Sequence, residues 1–485
     1  MKEQLETEPS SMATRGVKAQ NSEAQVLEAL NNQAWFVRMP KYFALSGPGW
    51  LQGAMTLGGG SAVTSLTIGA LFGYEFLWVQ PIAMLIGCVM LFALSYQTLH
   101  TQASPFESMK KHVNKPIAYS WAIAAFASSI IWGFAHYPLS AAMLEEIIVV
   151  STGFSVNEEN NNLRNIYLLI LAITVWALCA FTAWNYGKRA GSDESDSNAE
   201  GTHLGKTNTI VIFEMGIKLL SGMVILAFSW VVISASLNGK IDWGAVLAGY
   251  IPSSLPNDSQ GVTVLMAALG SAVGINMTFI YGFTLLHKKW TPSHVALSRY
   301  DIGLGLVVPY ILVTSLISIA AAGAFFDGGV DIQGKLSPTQ AGKMFMSAGL
   351  DEVTSRLIFA FGILGMAVGS LVMHMLCCGS AAAAMFKWKE GNLKYKLALL
   401  APTPAILGVF VWSTMGAYVV LPTSAICGFL LPVAYIGWAV LHNKPDYLGE
   451  AMPRGIKRYL FNIAMMACII TVLASVSYSV WINFS

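Results

Sequence analysis

Gly58-Gly59-Gly60-Ser61 sits in the middle of the first long apolar segment of the chain, 42–72, which contains GPGWLQGAMTLGGGSAVTSLTIGALF. Each glycine weakens a helix by roughly 1 kcal/mol relative to alanine, and in hydrocarbon no water satisfies the backbone groups that unwinding frees. Interrupted backbone at membrane depth survives where it lines a protein-enclosed cavity. In secondary transporters such breaks are where substrate sits.

Hydrophobic residues make up 55% of the 485 residues and charged ones only 11%, against about 25% charged in soluble domains. Apolar runs recur at about 42–72, 75–99, 117–150, 165–186, 207–237, 259–286, 301–326, 354–386, 397–418, 420–441 and 459–482. Each is long enough to cross about 30 Å of hydrocarbon, so the chain reads as a polytopic membrane protein of about eleven spans. Basic residues sort by loop. Lys2, Arg15, Lys18, Arg38 and Lys41, Lys110, Lys111 and Lys115, Lys188, Arg189 and Lys206, Lys288, Lys289 and Arg299, Lys387, Lys389, Lys394 and Lys396, and Lys444, Arg454, Lys457 and Arg458 fall on one side. Only Arg164, Lys240, Lys335, Lys343 and Arg356 fall on the other. The positive-inside rule then predicts a cytoplasmic N-terminus, an outside C-terminus and an odd span count, in a cell membrane.

The first forty residues are a polar tail without the pattern of a removable signal peptide. The segment 188–206 reads as a charged, Ser/Gly-rich linker. All six cysteines lie inside apolar runs, where a thiol behaves as a small hydrophobe. Gly60-Ser61-Ala62-Val63 in span 1 echoes Gly270-Ser271-Ala272-Val273 in span 6, five spans later, as an inverted repeat would place it.

The frame GPGWLQGAMTLGGGSAVTSLTIGALFGYEFLWV resembles the first-span signature of the NRAMP family of metal-ion transporters. IPSSLPNDSQGVTVLMAALGSAVGINMTFIYGF follows that family's span 6 in spacing. SRYDIGLGLVVPYILVTSLISIAAAGAFF, the Ile-Phe-Glu214 of span 5 and Leu431-Pro432 of span 10 agree as well. The resemblance implies an all-α polytopic membrane protein with a LeuT-type 5+5 inverted repeat plus an eleventh transmembrane helix. The repeats would be about 41–238 and 259–441, behind a cytoplasmic tail of 1–40, with the extra helix at about 459–482.

The family's metal-binding Asp-Pro-Gly-Asn falls on Gly58, Gly59, Gly60 and Ser61. Its Met-Pro-His falls on Gly274, Ile275 and Asn276, its second span-6 histidine on Tyr281, its span-7 Asn on Thr314 and its span-10 Gln near Ser424. Gly58, Ser61, Gly274 and Asn276 therefore lack the family's metal ligands. Such a site offers carbonyls and hydroxyls without negative charge, which predicts weak manganese or iron binding. The expected substrate-binding residues are Gly58, Gly59, Gly60, Ser61, Gly274, Ile275, Asn276, Thr278 and Thr314, with Ser65 nearby. Beside a metal ion, a small polar solute on the same fold or a non-transporting sensor or scaffold fits this lining.

Ionisable residues at membrane depth are few. His136 in span 3 is the candidate for proton coupling, because imidazole titrates near neutrality. Glu214 is a second candidate, and it can also pair with Lys218 four residues on. His374 beside Cys377 lacks a full ligand set by itself. No P-loop or catalytic set is present, so neither an ATP-driven pump nor an enzyme is expected. The expected partners are the lipid bilayer and a small solute or ion, with proton or sodium coupling. Nucleic acid and a resident cofactor are not expected.

Overall fold

The computed structural model describes residues 25, 27–156, 161–186, 208–326, 338–346 and 349–484. The 188–206 linker, most of the N-terminal tail and part of the 326–353 connection lie outside the described residues. Among the described residues every regular element is helical. Among the described residues nine helices are long and apolar enough to cross a membrane, or ten if the bent pair Pro48–Thr56 and Gly59–Phe72 is one span. Span 5 falls on the 30-residue helix Asn208–Leu237.

Spans 1 and 6 form the centre, with almost every residue of 47–70 and 261–282 buried. Spans 4, 5 and 11 stand at the periphery and leave Phe181, Leu226 and Ile463 exposed, as lipid contact requires. Span 3 (Lys115–Thr152) and span 8 (Glu352–Phe386) run against each other beside the centre. At 38 and 35 residues both exceed the hydrocarbon thickness, so their middles reach the depth of any break in spans 1 and 6.

Both central spans are interrupted. Span 1 bends by 51° between Thr56 and Gly59, and Gly58 is extended there. Span 6 stops at Ala272 and restarts at Ile275, with Val273 and Gly274 extended. The tetrapeptide echo does not follow this register, because Gly60–Val63 opens the half after one break whereas Gly270–Ala272 closes the half before the other.

The first half of span 1 is anchored at its start. The Asp301 carboxylate, buried at the beginning of span 7, accepts the Gly47 N–H at 3.0 Å and the Gly49 N–H at 2.5 Å. A negative charge at a helix N-terminus also meets the positive end of the helix dipole. The approach is close enough to require glycine, since a Cβ at Gly49 would lie 2.1 Å from the Asp301 carbonyl oxygen. Lys218 of span 5 lays its ammonium over Phe43 at 4.9 Å and Trp50 at 5.4 Å. The Glu214 side chain, its expected partner, lies outside the described residues.

Asp301→Asn places an amide NH2 against one of the two backbone donors. It should lower stability by about 1.5–3 kcal/mol, the range for hydrogen bonds to charged groups. Thermal unfolding in detergent measures this, and an unchanged melting temperature would refute the anchor. Gly270→Ala should destabilise by roughly 1–3 kcal/mol through overpacking, because its Cβ would lie 2.0 Å from the Ser424 carbonyl oxygen of span 10. Gly222→Ala, with nothing within 4 Å, is the matched control.

Candidate functional site

The two breaks face each other. The Thr56 hydroxyl, at the last turn of the first half of span 1, donates to Ala272 O at 3.1 Å, the last carbonyl before the span-6 break. The same hydroxyl lies 2.9 Å from Met277 Sδ. Carbonyls freed at the end of a half-helix need donors, and here they have them. Ser61 Oγ donates to Thr56 O at 2.7 Å, and Ser370 Oγ of span 8 donates to Met55 O at 3.0 Å.

On the donor side, the Gly59 N–H that opens the second half of span 1 points at His136 Nε2, 3.2 Å away. His136 Nδ1 lies 2.8 Å from Trp132 O. A carbonyl can only accept, so Nδ1 carries the proton and Nε2 offers a lone pair to the break. His374 occupies the mirror position at span 6. The Asn276 Oδ1 accepts the Met277 N–H at 3.0 Å, which turns the amide NH2 toward His374 Nδ1 at 2.9 Å. His374 Nδ1 is therefore the acceptor. Its Nε2–H faces Ser370 Oγ at 3.2 Å, whose own proton goes to Met55 O.

The two imidazoles lie edge to face with ring centroids 5.5 Å apart, and Trp132 stacks on His374. Cys377 Sγ is 3.6 Å from Asn276 O. A site of carbonyls and hydroxyls alone, as spans 1 and 6 suggested, is thus incomplete. Imidazole and thioether stand at the breaks, supplied by spans 3 and 8 and by Met277. Among the described residues no three His, Cys, Asp or Glu side chains gather as a metal cluster.

The family's carboxylate position has been filled from outside. A Cβ at Gly58 would meet His136 Nε2 at 2.8 Å and Ser370 Oγ at 2.9 Å, and one at Gly60 would meet the Trp132 ring at 2.4 Å. Two small apolar cavities open next to the breaks, each of about 20 Å³, room for about one water. One is lined by Ala62, Leu66, Leu139 and Phe359, the other by Ala54, Leu57, Val224 and Met366.

Of the other expected residues, Ser61 closes the end of the first half of span 1, and Ile275 and Asn276 open the second half of span 6. Thr278 donates to Ile275 O and accepts from Trp121 Nε1, which turns it to span 3. Thr314 donates within its own helix to Tyr310 O. Ser65 joins a polar chain that leads away from the break, through Gln80 to the hydroxyl of Tyr310. Sequence reasoning missed Trp132, Ser370 and Met277 and undervalued His374. The available signal was a serine and a histidine four apart on an apolar span, Ser370 and His374, which share one helix face.

Solved transporters share this architecture. A point mutant of the manganese transporter of Eremococcus coleocola superposes with a TM-score of 0.68 at 14% identity, over 92% of this chain and 89% of that one. MhsT in complex with L-phenylalanine gives 0.59 at 15% identity, over 89% and 98%. Mhp1, a nucleobase-cation-symport-1 family transporter, gives 0.54 at 12% identity, over 89% and 91%. At these identities the likeness establishes the fold, a LeuT-type inverted repeat. A search of curated proteins finds no match. The family description "Natural resistance-associated macrophage protein-like" matches residues 203–479, more than half of the chain. With the first-span frame, the paired breaks and this match in agreement, the chain belongs to the NRAMP family.

Proposed function

We propose that this integral multi-pass membrane protein is a secondary transporter that moves a metal ion by alternating access. Repeats of about 41–238 and 259–441 would rock about the paired breaks, with 459–482 appended. The observation that carries the reading is the pair of breaks held face to face through Thr56, Ala272 and Met277. Half-helix ends at a shared point are how this architecture holds an ion.

Uptake of divalent metal ions into vesicles holding the purified protein, under an imposed ion gradient, tests this. The wild type and Gly222→Leu should accumulate metal. Gly59→Leu should lose uptake per folded molecule, because its side chain fills the break. Its Cβ would lie 2.3 Å from Leu139 Cδ2, the movable tip of a side chain, so a folded fraction should remain. Gly69 is no control, because a Cβ there would meet Ser318 O at 2.0 Å. Absence of uptake for every ion would leave a scaffold, and equal uptake by Gly59→Leu would remove the break from the transport path.

A further inference from the structure

We propose that His136 and His374 are the donor pair for the transported ion. The site would thereby select a divalent ion with affinity for imidazole, of the zinc, cobalt or nickel class, over manganese. This rests on the transporter reading and adds to it the identity of the ligands and the substrate class.

Three observations carry the inference. First, the two side chains come from packed helices, spans 3 and 8, and each delivers an unprotonated ring nitrogen to one of the two breaks. Second, the opposite nitrogen of each ring is oriented by an acceptor behind it. For His136 this is Trp132 O, and for His374 it is Ser370 Oγ, itself fixed on Met55 O. Metal-binding histidines have this arrangement, in which the outer hydrogen bond fixes the tautomer and raises the basicity of the inner nitrogen. Third, the other side-chain donors at the breaks include Asn276 Oδ1, Met277 Sδ and Cys377 Sγ, none of them a carboxylate.

Donor chemistry then sets the preference. Manganese and magnesium favour carboxylate and water oxygen, while imidazole suits zinc, nickel and copper. Both lone pairs now accept from the protein, His136 from the Gly59 N–H and His374 from the Asn276 amide. An arriving cation takes these lone pairs and releases the Gly59 N–H and the Asn276 amide at the same moment. Ion binding would thus act directly on the first backbone donor of one half-helix and on the side chain that opens another.

Calorimetry on the purified full-length protein with zinc, cobalt and manganese tests the pair, and vesicle uptake is measured separately. Zinc and cobalt should bind at least tenfold more tightly than manganese. His136→Ala and His374→Ala should each weaken zinc by more than tenfold. Ser370→Ala, which leaves both rings in place but removes the acceptor behind His374 together with the donor to Met55 O, should weaken it by about tenfold. The visible spectrum of bound cobalt should change in His374→Ala. If an alanine variant loses its melting transition, the Ser370→Ala affinity and the wild-type selectivity decide. Manganese binding equal to zinc, or zinc affinity unchanged in folded His136→Ala and His374→Ala, overturns the donor pair even where uptake persists. Zinc binding that depends on both rings without uptake of any ion overturns the transporter reading instead.

Discussion

Backbone groups exposed at the middle of a membrane must find partners inside the protein, and the rest of this structure is arranged around that requirement. Two central helices are broken, and each break frees carbonyls on one side and N–H groups on the other. Side chains meet this need across helix boundaries. Thr56 serves the last carbonyl of the other broken helix, Ser370 reaches in from span 8, and His136 reaches in from span 3. Removing any of them would leave a buried group unpaired, at about 1–3 kcal/mol each. Spans 3 and 8 must therefore run past both breaks, and their length and mutual packing place His136 and His374 at the same depth.

The glycines of span 1 have two roles at once. They lower the helix propensity where span 1 breaks, and they give up the volume that His136, Ser370, Trp132 and Leu139 occupy. Close packing against spans 3 and 8 and the interruption of span 1 are one arrangement here. The family's carboxylate is absent from span 1, and the space it would need is taken by an imidazole from span 3. The groups that pair with the freed backbone come from the flanking helices as well as from the broken ones. The start of span 1 is meanwhile held by the Asp301 carboxylate and covered by Lys218, so its first half is fixed at both ends by other spans.

The fold was largely legible from the residues. Apolar runs of about 20 residues state how many helices cross, and the run Gly58–Gly60 states where one of them cannot stay helical. Both are local properties, set by hydrocarbon thickness and by the conformational freedom of glycine. Only part of the site was legible. Gly58, Ser61 and Asn276 lie at the breaks, while Thr278 accepts from Trp121 of span 3 and Thr314 donates within its own helix to Tyr310 O. The repeated Gly-Ser-Ala-Val tetrapeptide was misleading about register, since small residues serve both the end of one half-helix and the start of another.

By itself, then, the sequence determined the membrane class, the spans, the break in span 1 and the loss of the family's own ligands, because hydropathy and backbone freedom act within a few residues. Only the tertiary structure decided which side chains of other spans stand at the breaks. His136 and His374 are 238 positions apart in the chain. Nothing local relates two single histidines in different apolar spans. Their meeting depends on how spans 3 and 8 pack against each other and against the breaks. The proton on each ring, and so the lone pair each presents, is set by Trp132 O, Ser370 and Asn276, partners that exist only once the helices have come together.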